Sequence, residues 1–292
     1  MIHTIDLELM GSEGVVAAYF IPTKAGHIVV DCGPSSTLPK LRAGITALGY
    51  NFTDVRHLLL THIHLDHAGA AGTLARELGL QVYVHQHGAI HLEQPQRLLQ
   101  SATRIYGAMM DTLWGNFEAV PKHQLVVLEG EEVLHFDQLE ILALYTPGHA
   151  IHHLAYVLEE SIFSGDVGGV RLQGSSHVIA PTPPPDINLE FWRNSLEKLR
   201  QHKPRQLFLT HFGQHTDVEL HFAKLEQSLD TLERLTKEVL NSGGDADTLA
   251  AAIQKMANAQ ISDENLETKY ALSTPYHMAA NGLVRYWQKF SS

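Results

Sequence analysis

Residues 58–69 read Leu58-Leu59-Leu60-Thr61-His62-Ile63-His64-Leu65-Asp66-His67-Ala68-Gly69, an apolar run that breaks into four side chains of metal-ligand type within six positions. In an extended chain, side chains two apart face the same way, so His62 and His64 can grip one ion together. Where the strand gives way to a helix, Asp66 and His67 turn toward a second position a few ångströms away. The spacing suits a dinuclear site. A plainer alternative is that these side chains only cap the helix that follows.

Three later segments share one design, a β-like run ending in a tight glycine turn that presents one ligand. They are Tyr145-Thr146-Pro147-Gly148-His149, Phe163-Ser164-Gly165-Asp166 and Leu209-Thr210-His211-Phe212-Gly213. With the first cluster they make a set of five His and two Asp. Neutral imidazoles and hard carboxylates suit Zn²⁺, and iron or manganese accepts the same ligands. A donor set without Cys points to an open catalytic site over a closed structural one.

The set and its order resemble the metallo-β-lactamase-fold hydrolase superfamily, which carries HxHxDH, a later PGH, a GD and a final His after a strand. The resemblance runs over roughly residues 13–215. It implies a four-layer αββα sandwich with the ligands on loops along one edge. It assigns His62, His64 and His149 to one metal, Asp66, His67 and His211 to a second, and Asp166 to both. Two zinc ions per chain are then expected. The implied reaction is hydrolysis, in which a metal-bridging hydroxide attacks a small ester or thioester; the ions bring the pKa of the bound water toward ~7 and stabilise the oxyanion. Asp66 is expected to orient the hydroxide as well as bind metal. The site keeps a small positive charge, about +1 with the hydroxide in place, which favours an anionic substrate. Asp31, in Val29-Val30-Asp31-Cys32-Gly33, matches a family Asp that fixes a ligand His; a turn-capping Asp is the other reading.

Departures from the pattern narrow the branch. Class B β-lactamases lack the second His of the DH pair, which is His67 here. Flavodiiron members usually carry Glu where this chain has His64. Pro147-Gly148-His149, followed by His153 and Tyr156, resembles the PGHTxGHxxY of the glyoxalase II group, which also has a helical C-terminal extension. However, Val167-Gly168-Gly169-Val170-Arg171 replaces the GCGR segment of that group and of persulfide dioxygenases. A lactonase or phosphodiesterase would use the same metals, a mononuclear iron oxidoreductase of the persulfide dioxygenase type is a rival class, and a metal-binding scaffold without catalysis is a third.

Outward from these motifs, the 292 residues alternate strand-like and helical stretches, the mark of an α/β protein with sheets covered by helices. The expected strands are 4–10, 15–21, 27–30, 55–60, 81–85, 125–128, 139–145, 155–158, 161–164 and 206–210. Residues 1–215 are expected to form the catalytic domain, and 216–292 a helical region, broken at Gly243-Gly244, that contributes to the substrate pocket. Pro181–Pro185 cannot be regular structure. With 44% hydrophobic and 18% charged residues the chain can bury a large core. Its net charge of −11 repels a phosphate backbone, so nucleic acid is not an expected partner. No apolar run is long enough to span a membrane, and the first residues, with Asp6 and Glu8, are no basic leader. One cysteine, Cys32, fits a reducing setting, and the expected location is the cytoplasm.

Several side chains outside the ligand set carry two readings each. His277, in Thr274-Pro275-Tyr276-His277-Met278, is a candidate substrate contact or a packed helix residue. Arg171 is a candidate for binding a substrate carboxylate or phosphate, or half of a structural salt bridge. His153 either hydrogen-bonds near the metal or packs in a strand. His85, His87 and His91 are expected on an exposed turn and helix, with His91 a candidate for the pocket lining. The apolar helix around Tyr106, Met109, Met110 and Trp114 reads as core, pocket wall or homodimer surface. Most of the remaining histidines, of 20 in all, are expected at the surface.

Overall fold

The computed structural model describes residues 1–261 and 263–290. It divides into two compact units, Met1–Tyr145 with Leu154–Glu159, and Thr146–His153 with Glu160–Ser292. Among the described residues, two six-stranded sheets hold the twelve strands.

In the first unit β1 (His3–Asp6), β2 (Ala17–Ile21), β3 (His27–Val30), β4 (Val55–Leu59), β5 (Gln81–His85) and β6 (Leu125–Leu128) lie side by side in chain order. The pairs β1–β2 and β2–β3 are antiparallel, and from β3 onward the pairing is parallel, with Val29 opposite Leu58 and Tyr83 opposite Val126. Strands inside a parallel sheet are covered on both faces, which is why 58–60 is an unbroken apolar run with no alternation. The crossovers carry α1 (Leu38–Ala47), α2 (Leu65–Ala68) and α3 (Ala71–Leu78), then α4 (Gln86–Glu93), α5 (Gln96–Tyr106) and α6 (Met110–Trp114). Leu65, Ala102 and Trp114 form a buried cluster, against which Leu98, Tyr106, Met110, Leu113 and Phe117 pack. Trp114 of this segment is core, Tyr106 and Met110 are half-buried against it, and Ile105 and Met109 are exposed. The unit also holds an antiparallel meander, β7 (Glu132–Phe136), β8 (Leu139–Tyr145) and β9 (Leu154–Leu158). β7 was not anticipated, because its alternation of Glu132, Leu134 and Phe136 with Val133 and His135 leaves few apolar residues in phase.

In the second unit β10 (Ser161–Phe163) pairs parallel with β11 (Gln206–Leu209), which pairs antiparallel with the short β12 (Gly213–His215). α7 (Leu189–Gln201) starts at Asn188, whose side chain accepts from the Phe191 N–H. Among the described residues the helical tail forms four helices, α8 (Val218–Asn241), α9 (Ala246–Asn258), α10 (Glu264–Ser273) and α11 (Tyr276–Phe290). Asp245 and Asp263 cap α9 and α10 through their side chains. α9 buries Leu249, Ile253 and Ala257, one helical stripe, and packs on α8 and α11. α11 lies on the Pro181–Pro185 loop: a side chain at Gly282 would meet the Thr182 carbonyl oxygen at 2.0 Å, and Arg285 Nε donates to the Pro185 carbonyl at 3.3 Å. No described helix is long and apolar enough to cross a membrane.

Candidate metal centre

Each unit carries a cluster of His and Asp side chains of metal-ligand type. In the first, the segment after β4 is pinned on three sides: Leu60 N–H donates to the Tyr83 carbonyl, Tyr156 hydroxyl to the Leu60 carbonyl, and Leu154 N–H to the Thr61 carbonyl. Asp31, at the end of β3 with φ 52°, accepts the Thr61 N–H at 2.8 Å on one oxygen. Its other oxygen accepts the Thr61 hydroxyl at 2.8 Å and the His67 Nδ1–H at 2.7 Å. The Asp31 carboxylate, 1% exposed, thus fixes the His67 ring and a backbone turn at once.

These bonds decide tautomers. The Thr61 hydroxyl has given its one proton to Asp31, so toward His62 Nδ1, 3.1 Å away, it can only accept. His62 and His67 are then protonated on Nδ1 and present the lone pair on Nε2. His62 Nε2 lies 2.9 Å from His64 Nδ1, and His67 Nε2 lies 3.9 Å from Asp66 Oδ1. The capping reading fails: α2 is a single turn, and its N-cap residue His64 makes no side-chain cap bond. Cys32 is not part of the cluster. Its N–H and thiol both point at the His67 carbonyl, and burial pushes the thiol pKa up, keeping it protonated.

In the second unit His149 Nδ1 donates to the Pro181 carbonyl at 2.8 Å, which leaves its Nε2 lone pair facing Asp166 Oδ2 at 3.4 Å. His211 Nε2 stands 3.5 Å from the other Asp166 oxygen. All three side chains are buried. A carboxylate against an imidazole lone pair is acceptor against acceptor, an arrangement that a cation between them relieves. The donor set therefore fits a divalent ion on an observation independent of any motif. The Gly of the Pro-Gly-His turn has a steric reason: Gly148 sits at φ 149°, and a Cβ there would stand 2.4 Å from Trp192 Cα. Trp192 also turns its ring edge-on to His149, 5.7 Å between centroids.

The remaining candidates separate. Arg171 Nη1 meets both oxygens of Asp217, at 2.8 and 2.9 Å, and its Nε donates to the Ser175 carbonyl, so the guanidinium is engaged in a structural pair. Its backbone N–H donates to the His211 carbonyl. His277 is exposed on the first turn of α11. His91 is half-buried on α4. His85 corrects the expectation of an exposed turn: it is buried, caps α4 by accepting the His87 N–H, and stacks on Tyr145 at 4.4 Å. Burial lowers its pKa to about 4. The expectation that most other histidines lie at the surface is corrected in part, since His152, His153, His177 and His221 are also buried. Sequence reasoning missed Thr61 and Trp192; both act across gaps in sequence that no period reveals.

The chain matches the sequence profile of the Metallo-beta-lactamase superfamily over residues 11–211. It belongs to that superfamily. Among its relatives, it is 27% identical over 216 residues to the metallo-beta-lactamase fold-containing protein ST1585 of Sulfurisphaera tokodaii, covering 73% of this chain and 78% of that one. It is 26% identical over 237 residues to the atrochrysone carboxyl ACP thioesterase of Aspergillus fumigatus, covering 80% of this chain and 60% of the thioesterase. Against the probable metallo-hydrolase YqjP of Bacillus subtilis it is 24% identical over 249 residues, 77% of this chain and 75% of that protein. The structure of the Thermus thermophilus superfamily protein TTHA1429 superposes over 99% of this chain and 94% of its own, with a TM-score of 0.71 at 20% identity. The fold is that of the superfamily, two sheets with helices and a helical C-terminal part.

Proposed function

We propose that this superfamily member is a dinuclear, zinc-dependent hydrolase of a small, anionic ester or thioester. The observation that carries the reading is the acceptor-on-acceptor geometry of Asp166 with His149, beside which His211 Nε2 stands 3.5 Å from the other Asp166 oxygen. Support also comes from the ligand-type cluster that each unit carries, His62, His64, Asp66 and His67 in the first and His149, Asp166 and His211 in the second. Relatives named as a thioesterase and a metallo-hydrolase point the same way.

In this reading His62, His64 and His149 hold one ion, Asp66, His67 and His211 the other, and Asp166 serves both. When bound, the ions supply an acidified water and a cationic field for the oxyanion. The chain's own work is orientation. Asp31 and Thr61 keep His62 and His67 in the tautomer that offers Nε2, and the Pro181 carbonyl does the same for His149. Asp66, whose side chain is 19% exposed against 6% for Asp166, is the more solvent-accessible of the two carboxylates and would orient the attacking hydroxide. No Ser or Cys nucleophile is called on.

The test is a hydrolysis panel of thioesters, esters, lactones and phosphodiesters, run on chelator-treated and zinc-reconstituted protein. Zinc-dependent turnover of esters or thioesters supports the reading. Turnover of lactones or phosphodiesters alone rejects this substrate class, and no turnover in any class rejects the hydrolase.

A further inference from the structure

Asp166 can serve two ions only if its carboxylate is held between His149 and His211, yet it sits on a single turn of 3-10 helix, residues 165–168, with two glycines. What steadies that turn is the residue that follows. Val167 N–H donates to His153 Nε2 at 3.3 Å, and the Val167 carbonyl accepts the Trp192 indole N–H at 2.8 Å. Because Nε2 of His153 is the acceptor, its proton is on Nδ1, where it donates to Thr146 Oγ1 at 2.9 Å.

Both anchors reach back to the His149 turn. His153 closes it, with Thr146 N–H donating to the His153 carbonyl, and Trp192 packs its backbone against Gly148 and its ring edge against His149. One imidazole and one indole therefore tie the Asp166 turn to the His149 turn, and both are fully buried. The geometry points to His153 and Trp192 as positioning residues, which set the distance between Asp166 and His149 by clamping the two polar groups of Val167. Neither is a ligand. The inference rests on the metal site of the previous section, and partners of this kind typically change metal affinity by about tenfold to a hundredfold.

The experiment is a zinc titration of the chelator-treated full chain by calorimetry, beside thermal unfolding and amide hydrogen exchange of the metal-free protein. His153→Leu removes both side-chain bonds at similar volume, His153→Gln keeps an acceptor for Val167, and Trp192→Phe keeps the ring but loses the N–H. His153→Leu and Trp192→Phe are expected to bind zinc about ten to a hundred times more weakly, with faster exchange at Val167, while staying folded. His153→Gln is expected to recover most of the affinity. Folded variants that bind zinc like the parent, with Val167 exchange unchanged, would overturn the clamp while leaving the metal site standing. If His153→Leu does not fold, Trp192→Phe decides alone. A parent chain that takes up no divalent ion overturns both inferences together.

Discussion

Nε2 of His149 and Oδ2 of Asp166 face each other at 3.4 Å inside the protein, and the Pro181 carbonyl, by accepting the Nδ1–H of the neutral His149 ring, leaves both of them acceptors. Such a pair costs stability in the metal-free chain and gains it when a cation enters. Asp166→Asn removes the charge and supplies a donor. The metal-free variant is expected to be more stable by about 1 kcal/mol, which at this chain length raises the melting temperature by a few degrees. Its zinc content should fall. Differential scanning calorimetry with elemental analysis reads both.

Asp31 accepts three hydrogen bonds and holds His67 in one tautomer. Asp31→Asn keeps the shape, and Asn tolerates the left-handed backbone, but its one carbonyl oxygen cannot replace both carboxylate oxygens, so either the Thr61 N–H or the two contacts at Oδ2 lose their acceptor. A loss of about 1–3 kcal/mol of stability is expected, and a drop in metal affinity of about tenfold or more. Zinc titration and urea unfolding of the variant check the two separately.

Gly148→Ala puts a methyl 2.4 Å from Trp192 Cα at a backbone angle of φ 149°. The backbone must move, and His149 moves with it. An expected loss of about 2–4 kcal/mol combines strain with the clash. Hydrolytic turnover should fall with metal content, whereas an alanine at Gly49, which meets nothing within 4 Å and is remote in sequence from every ligand, is the control for substitution at a positive-φ glycine.

Acid sensitivity follows from buried neutral histidine. His221 donates Nε2–H to the Gly168 carbonyl, and burial lowers its pKa to about 4 from an ordinary 6.5. The unfolded chain binds a proton between those values and the folded chain does not, so stability falls as pH drops from about 6.5 to about 4. His85 acts in the same sense. The share of one such group is at most about 3 kcal/mol. His221→Gln should flatten the slope of unfolding free energy against pH in that window; an unchanged slope contradicts the assignment.

Arg171 is committed to Asp217 and the Ser175 carbonyl. For a small anionic substrate, Arg171→Met is expected to leave KM within about twofold and to cost about 1 kcal/mol of stability, the range of a partly exposed ion pair. Steady-state kinetics on whichever substrate the panel yields is the check; a large rise in KM would return Arg171 to the substrate.

The residues of the two His and Asp clusters were legible because each is adjacent in sequence to the strand or turn that presents it, as His62 follows Leu58–Thr61 and Asp166 follows Phe163–Gly165. The α/β layering was legible from the alternation of strand-like and helical stretches. Of the partners that orient them, Asp31 was legible only through the family resemblance, because it reaches Thr61 and His67 across 30 and 36 residues, and Trp192, which reaches Val167 across 25, was not legible at all. A histidine in the sequence also does not disclose its depth. His85 looked exposed because polar Gln86 and His87 follow it, and it is buried because Tyr145, brought in by β8, covers its ring. The sequence places one break in the tail, at Gly243-Gly244, where α8 gives way to α9 capped by Asp245; the further break before α10 is marked by Asp263, whose side chain caps that helix.

The most direct measurement is elemental analysis of the full chain purified without added metal. The account expects about two zinc ions per chain, falling toward one or none in Asp166→Ala that remains folded by circular dichroism. About one iron per chain, or no divalent metal even after exposure to zinc, would contradict it.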